Sequence, residues 1–137
     1  MIYGQTDEQL MIADTVRSFV EKEIYPHEEL VERTGEVPAE IAQEIKQKTL
    51  DLGFYACNFP ESVGCAGLNH VEFALVEREL GRGSMALNHF LGRPQNILMA
   101  CEGEQIERYL MPAVRGSRMD ALAMTEPGAG SDVRGMK

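Results

Sequence analysis

Basic residues, cysteines and long apolar stretches are all scarce in this 137-residue sequence. Lysine and arginine number 13 against 22 acidic residues, which gives a formal net charge of −9. An acidic chain repels phosphate backbones and anionic lipid headgroups, so we expect neither nucleic acid nor a membrane as a partner. The three cysteines show no CxxC spacing, and no apolar run approaches the roughly 20 residues that span a bilayer. With no signal-peptide pattern either, we expect a cytoplasmic protein with reduced thiols.

Sequence signals for metal binding and nucleophilic catalysis are also missing. The histidines His27, His70 and His89 form no i, i+4 pair and lie near no cluster of acids or thiols at ligand spacing, so we expect no metal site. The serines occur in no nucleophile elbow. Residues 81–86, GRGSMA, satisfy a GxGxxA pattern, but a helical pattern and not a strand precedes them. This context argues against a dinucleotide site.

The sequence does contain helical periodicity, which begins close to the amino terminus. Thr6, followed three residues later by Gln9, predicts a capping box and the start of a helix. Apolar residues then recur at three- to four-residue spacing until Pro26, which disfavours continuation. We therefore expect one helix that ends near Pro26 and a polar linker over residues 25–37.

Further helices are expected up to residue 111. A second helix is expected between Pro38, near its first turn, and Gly53, at its C-cap position. Asn69 can cap a third helix. Helix is expected to continue over residues 85–100, and a last segment should end at Pro112. The predicted fold class is all-α with five to six helices.

The pattern changes near the carboxyl end of the sequence. Residues 120–125, DALAMT, are short, mostly apolar and followed by a Pro-Gly breaker, which predicts a strand. In the loop that follows, Gly128 and Gly130 allow backbone amides to approach a ligand, while Thr125 and Ser131 offer hydroxyls. This composition suits a polyphosphate or the edge of a flavin. An ordinary strand-to-turn connection, whose hydroxyls bind nearby backbone, explains it equally well.

Residues 122–137, LAMTEPGAGSDVRGMK, resemble the flavin-binding signature of acyl-CoA dehydrogenases. Three further stretches resemble the same family: FPESVGCAGL at 59–68, FALVERELGR at 73–82 and GEQIERYLMPAVRG at 103–116. Val63 and Cys65 depart from the family pattern, in which an aromatic residue and a glycine are usual. The resemblance covers nearly the whole chain. It implies the N-terminal helical domain over residues 1–117, followed by the start of a middle β domain over residues 118–137.

The resemblance implies a fragment of a flavoenzyme that oxidises an acyl-CoA thioester to its 2,3-enoyl form and passes hydride to FAD. It implies flavin contacts from Leu122, Met124, Thr125, Gly130 and Ser131. Ser131 would also contact the substrate, and the candidates for lining the acyl pocket are Met85, Asn88 and Leu91. The family's base is a glutamate of a C-terminal helical domain. We therefore expect no catalytic residue in this chain, and an inactive isolated chain in which Glu126 has a structural role.

The resemblance also implies partners. These are an acyl-CoA substrate, an electron-transferring flavoprotein as electron acceptor and further copies of the same protein in a homo-oligomer. Two alternatives stay open on the sequence alone: a catalytically inactive helical interaction module, and a flavin monooxygenase on the same scaffold. The sequence does not identify the acyl chain.

Overall fold

The computed structural model describes residues 4–137, and helices make up most of it. Within that range the α-helices are α1 (Asp7–Phe19), α2 (Tyr25–Thr34), α3 (Ala39–Asp51), α4 (His70–Leu80), α5 (Met85–Asn88) and α6 (Met111–Val114). Two π-helical turns occupy Val20–Ile24 and Ile106–Leu110, and short 3-10 turns occupy Glu61–Val63, His89–Leu91, Asn96–Ala100 and Val133–Gly135. The predicted all-α class is confirmed. None of the helices in residues 4–137 is long and apolar enough to cross a membrane.

Helix α1 begins where its sequence predicts. The Gln9 N–H donates to Thr6 Oγ1 at 3.2 Å, and the Thr6 N–H donates to Gln9 Oε1 at 3.2 Å. This reciprocal capping box satisfies two amide groups that have no partner inside the helix. The apolar face of α1 is buried through Ala13, Val16 and Phe19, and it packs against α4.

The predicted linker over residues 25–37 is wrong, because Tyr25–Thr34 forms α2 directly after α1. Proline lacks an N–H and normally breaks a helix interior. Here the Tyr25 N–H donates to the Val20 carbonyl, five residues back, so the helix widens into a π-helical turn just before the proline. Pro26 consequently lies in the first turn of α2, where a missing N–H costs little.

Pro112 is accommodated in the same way, so the predicted helix end at this residue is also wrong. The Met111 N–H donates to the Ile106 carbonyl and closes a second π-helical turn. Pro112 then occupies the first turn of α6. In both places a π-helical turn directly before the proline allows the chain to continue as helix.

Helices α3 and α4 agree with the sequence prediction. Pro38 directly precedes α3. Asn69 Oδ1 accepts hydrogen bonds from the N–H groups of Val71 at 2.9 Å and Glu72 at 3.1 Å, and Glu72 Oε2 accepts from the Asn69 N–H. Both helix starts were readable because capping depends only on residues within one turn.

The expected continuous helix over residues 85–100 is wrong. Helix α5 ends at Asn88 and is followed by a single 3-10 turn, an irregular segment over residues 92–95 and a second 3-10 turn. Gly92 has a φ of +74°, which a right-handed helix does not contain, and Pro94 disfavours helix in the residue before it. These two residues turn the chain away from a helical path.

The interior consists of two apolar clusters. The first joins α1, α2, α3 and α4, and its most buried members are Val16, Val20, Ile24, Ile45, Val76, Leu87 and Leu91. The second lies under the loop after α3 and includes Tyr55, Ala56, Phe59, Leu110 and Val114. Together they hold α3 and the 85–95 segment on either side of the cavity described below.

A buried carboxylate links α1 to α4. Glu79 is 1% exposed, and Arg17 binds it with two hydrogen bonds of 2.9 and 3.1 Å. Arg78 and Arg82 add contacts of 2.8 Å each. The hydrogen bond from Arg17 is the largest of the effects that lower the pKa of Glu79 to about 2.

The predicted strand over residues 120–125 does not form. The described chain contains one isolated antiparallel bridge, between Glu126 and Ala129, and no named strand. A strand is stable only when its backbone pairs with a neighbour, and residues 4–137 provide none. The segment is instead an exposed extension that leads into the Pro127–Gly128 turn.

Candidate functional site

A cavity of about 790 Å³ lies between α3, the segment over residues 85–95 and the start of the carboxyl-terminal extension. Its volume falls within the roughly 300–1,000 Å³ of small-molecule sites. Most of its wall is apolar and includes Val37, Ala42, Met85, Phe90, Pro94 and Met119. The cavity can therefore enclose an apolar group of moderate size.

Polar side chains also line the cavity. Lys46 Nζ donates to the Gly116 carbonyl at 3.1 Å, and Asp120 Oδ2 accepts from the Gln95 N–H at 2.8 Å. Tyr55 is 7% exposed; its burial raises the pKa of the phenol, and the charge of Asp120 raises it further. The Tyr55 hydroxyl therefore keeps its proton at neutral pH and can donate a hydrogen bond.

Two glycines shape a slot for the Tyr55 ring. Gly92 has φ +74°, and a Cβ atom there would lie 1.9 Å from Tyr55 Cε2. Gly116 has φ +69°, and its Cβ position would lie 3.3 Å from Tyr55 Cζ, the carbon that carries the hydroxyl. The hydroxyl end of Tyr55 is thus beside Gly116, the residue whose carbonyl binds Lys46. Any side chain at residue 92 would displace the ring.

The exposed carboxyl-terminal segment continues directly from the cavity wall at Asp120. Leu122 is 60% and Met124 42% exposed, and Thr125, Gly130 and Ser131 are exposed as well. Glu126 and Ala129 exchange two backbone hydrogen bonds of 3.0 and 3.2 Å, which close a tight turn. The segment therefore presents apolar side chains followed by free hydroxyls.

These residues fit one side of a flavin. The apolar side chains Leu122 and Met124 can cover a ring system, and the hydroxyls of Thr125 and Ser131 can bind its polar edge. No atom lies within 4 Å of the Cβ position of Gly128 or Gly130, so a ligand can approach the backbone there. For metals the outcome is different: residues 4–137 contain no group of three or more His, Cys, Asp or Glu side chains placed to hold an ion.

A family model described as "Acyl-CoA dehydrogenase, N-terminal domain" matches residues 6–117. The chain belongs to the acyl-CoA dehydrogenase family. This match covers the helical part of the structure and both apolar clusters. The family resemblance of the sequence motifs is thereby confirmed.

Several curated relatives have similar sequences over almost the whole chain. Caffeyl-CoA reductase-Etf complex subunit CarC of Acetobacterium woodii is 36% identical over 96% of this chain and 35% of its own length. The 3-(aryl)acrylate reductase of Clostridium sporogenes is 34% identical over 93% of this chain and 34% of its own length. Benzylmalonyl-CoA dehydrogenase of Aromatoleum aromaticum is 36% identical over 97% of this chain and 36% of its own length. The chain thus spans about a third of the length of these relatives.

Solved structures of acyl-CoA dehydrogenases have the same fold. A glutaryl-CoA dehydrogenase from Mycobacterium smegmatis matches with a TM-score of 0.78 and 29% identity over 98% of this chain and 35% of its own. A glutaryl-CoA dehydrogenase of that organism in complex with FADH2 matches with a TM-score of 0.76 and 28% identity, over 97% of this chain and 34% of its own.

The three residues expected to line an acyl pocket lie in different surroundings. Met85 lines the cavity and is 78% exposed. Leu91 belongs to the first apolar cluster. Asn88 is buried and donates from Nδ2 to the carbonyls of Leu80 at 2.7 Å and Gly83 at 3.2 Å. Of the three, the structure places Met85 alone in the cavity wall, and the roles of Asn88 and Leu91 toward substrate stay predictions.

Sequence reasoning missed most of the polar lining, including Lys46, Tyr55 and Asp120. One signal was available, because Ala39, Ala42, Gln43 and Lys46 follow helical spacing and share a face of α3. That face carries small side chains and a single cation, which leaves space beside the helix. No comparable pattern marks Tyr55 or Asp120.

Proposed function

We propose that the whole protein is a flavin-dependent oxidoreductase that oxidises an acyl-CoA thioester to its 2,3-enoyl form. The observation that carries the proposal is the continuity between the cavity and the exposed segment after Asp120. An acyl group in the cavity would lie beside residues that suit a flavin. Membership of the acyl-CoA dehydrogenase family supports this arrangement.

FAD, when bound, supplies the acceptor for the hydride. The residues proposed to hold it are Leu122, Met124, Thr125, Gly130 and Ser131, with Thr125 at the reactive part of the ring system. Ser131 is proposed to contact the substrate as well. These groups are exposed, so the remaining walls of the site come from other residues of the whole protein or from a neighbouring copy.

The base that removes the proton next to the thioester carbonyl is proposed to lie outside these 137 residues. Glu126 is a carboxylate that directly follows Thr125, one of the proposed flavin contacts. Its backbone closes the tight turn with Ala129, and its Oε2 accepts from the Lys137 N–H at 3.1 Å. Both contacts favour a structural role. The helical unit over residues 1–117 and the segment over 118–137 are then parts of two domains that meet at the active site.

The reverse reaction is the second candidate. Two relatives at 36% and 34% identity have names that describe reductases, whereas the benzylmalonyl-CoA relative is named a dehydrogenase. The same flavin and substrate positions serve both directions, because the potential of the electron partner decides the net flow. For the oxidation we propose an electron-transferring flavoprotein as acceptor, consistent with the Etf complex in the name of the Acetobacterium woodii relative.

Self-association and location are also proposed. Exposed apolar side chains include Met11, Leu52, Ile97, Met119 and Leu122, and large apolar patches often mark contacts between protein surfaces. We propose that the whole protein is a homo-oligomer in the cytoplasm, with these side chains covered by other domains or copies.

The test is anaerobic spectroscopy of the whole purified protein. It should be yellow, and its flavin absorbance should bleach when an acyl-CoA is added. In the reductase alternative, steady-state turnover should proceed from a 2,3-enoyl-CoA with a reduced electron-transferring flavoprotein, and should not proceed from a saturated acyl-CoA with the oxidised form. Thr125→Ala and Ser131→Ala should each weaken flavin or substrate binding by about 0.5–3 kcal/mol, one hydrogen bond. A whole protein that binds no flavin would contradict the proposal.

A further inference from the structure

The polar side chains of the cavity retain unused hydrogen-bonding capacity. A lysine ammonium has three N–H donors, and Lys46 uses one of them on the Gly116 carbonyl. An ionised carboxylate accepts about four hydrogen bonds, and Asp120 accepts one from the Gln95 N–H. The Tyr55 hydroxyl can donate and accept. A ligand in the cavity therefore meets both donors and acceptors.

These three residues line the same cavity. Tyr55 Cζ and the Gly116 carbonyl that binds Lys46 are brought together by the close packing of the Tyr55 ring on Gly116. Asp120, whose Oδ2 accepts from the Gln95 N–H, belongs to the same lining. The apolar side chains Met85 and Phe90 line the wall contributed by α5 and the turn after it.

The charges in the cavity lining favour a neutral polar group over an anion. Lys46 takes part in none of the ion pairs formed within residues 4–137, but Asp120 contributes the opposite charge to the lining. The other lining cation, Arg93, is paired with Glu77. A ligand carboxylate would be attracted by the charge of Lys46 and repelled by the charge of Asp120. A hydroxyl can accept a hydrogen bond from Lys46 or donate one to Asp120 without a charge penalty.

We infer that the cavity binds an acyl group whose apolar body ends in a hydroxyl, and that Lys46, Tyr55 and Asp120 recognise this hydroxyl. That the occupant is an acyl group rests on the proposed function; the preference for a hydroxyl rests on the cavity alone. A site that hydrogen-bonds a hydroxyl discriminates strongly against an analogue that lacks it, because its polar groups are then left without partners. The three residues would act as specificity determinants.

The test uses three small probes that share one apolar body: 4-ethylphenol, ethylbenzene and 4-ethylbenzoate. Their binding to the purified 137-residue chain is measured by calorimetry and by protein NMR, without flavin or CoA. We expect 4-ethylphenol to bind about tenfold more tightly than either other probe, the effect of one or two hydrogen bonds. Lys46→Met and Tyr55→Phe should each remove most of this preference, because 4-ethylphenol then loses a hydrogen-bond partner that ethylbenzene never had.

Matched controls are available on the same chain. Lys22→Met removes an exposed lysine that does not line this cavity, and Tyr109→Phe removes an exposed phenol; both should keep the preference for 4-ethylphenol. Circular dichroism checks that every variant retains its helix content.

Three results would overturn the inference: equal binding of 4-ethylphenol and ethylbenzene, tightest binding of 4-ethylbenzoate, or no binding of any probe. Tightest binding of 4-ethylbenzoate would show that the cavity prefers anions. None of these results depends on flavin bleaching in the whole protein, so the proposed function succeeds or fails separately.

Discussion

Two polar clusters in this molecule differ in how fully their charges are satisfied. Glu79 is almost completely buried and is surrounded by Arg17, Arg78 and Arg82, which contact both of its oxygens. Lys46 and Asp120 line an open cavity, and within residues 4–137 each makes one hydrogen bond, to a backbone group. The first cluster leaves no acceptor free for a ligand, whereas the second leaves donors and acceptors exposed in a concave site.

The comparison teaches that a shifted pKa alone does not identify a functional site. Perturbed ionisable groups concentrate at active sites, but structural ion-pair networks perturb them equally. The pKa of Glu79, at about 2, is lowered by the arginines that join α1 to α4. Its role is therefore to hold two helices together. Unused hydrogen-bonding capacity beside a cavity is the better indicator of binding here.

The largest expected effect is that of Glu79→Gln. The change removes the negative charge shared by three guanidinium groups, and breaking a buried ion pair from one side typically costs about 3–5 kcal/mol. We expect the lower end of that range, because the arginine side chains are 35–49% exposed and regain some hydration. Urea unfolding followed by circular dichroism gives the free energy.

The matched control for Glu79→Gln is Glu44→Gln. The Glu44 side chain is 57% exposed and is paired with Lys48, so its loss should destabilise the fold far less than that of Glu79. Equal destabilisation by the two variants would remove the distinction between a buried and an exposed charge cluster.

Gly92→Ala is expected to cost about 2–4 kcal/mol. Its Cβ atom would overlap the Tyr55 ring, an overpacking effect of about 1–3 kcal/mol, and the left-handed backbone adds about 1–2 kcal/mol. Gly64→Ala is the control, since Gly64 also has a positive φ but no atom within 4 Å of its Cβ position. Thermal or urea unfolding of both variants isolates the steric part. Equal losses of unfolding free energy in the two variants would mean that the Tyr55 ring is not held by this slot.

Acidification should weaken the Glu79 cluster. The pKa of Glu79 in the folded chain is about 2, below its ordinary value of 4.5. The unfolded chain therefore takes up the proton first. The stabilisation is present above pH 4.5 and is lost as the pH falls from there toward 2. Its size is on the order of 1–3 kcal/mol after allowance for solvent screening of the arginines.

Urea unfolding at a series of pH values between 5 and 2.5 measures this dependence. Glu79→Gln should flatten it, because the titrating carboxyl is gone. An unchanged slope in that variant would assign the acid sensitivity to other carboxylates.

Lys46→Met should have the smallest effect on folding, within about 1 kcal/mol of the starting free energy of unfolding. Lys46 contributes one hydrogen bond to a carbonyl, and a methionine can fill the volume of its stem. Urea unfolding provides the measurement. A loss above about 2 kcal/mol would show that this cluster, like that of Glu79, is structural.

Local sequence determined the helix starts and the family. Thr6 with Gln9, and Asn69 with Glu72, are separated by three residues, so their capping boxes depend on nothing outside one turn. The flavin-binding signature was likewise readable as one continuous stretch. The roles of its residues toward flavin remain predictions.

Tertiary context decided where helices continue and where strands fail. Pro26 and Pro112 are helix breakers by composition, yet a π-helical turn precedes each and the chain continues as helix. Burial of Val20, Ile24 and Leu110 at these turns favours the continuation. The residues over 120–125 have strand composition, but a ladder requires a second strand, and none is formed within the described residues.

The sequence by itself determined an acidic, all-helical member of the acyl-CoA dehydrogenase family with an exposed signature loop, because caps, periodicity and motifs are properties of neighbouring residues. Only the tertiary structure decided which charges are satisfied and which are available to a ligand. Lys46 and Tyr55 are far from Asp120 in sequence, and the packing of the Tyr55 ring against Gly92 and Gly116 helps to bring them to one cavity. Contacts between residues distant in sequence, which no local pattern encodes, created both this site and the buried cluster around Glu79.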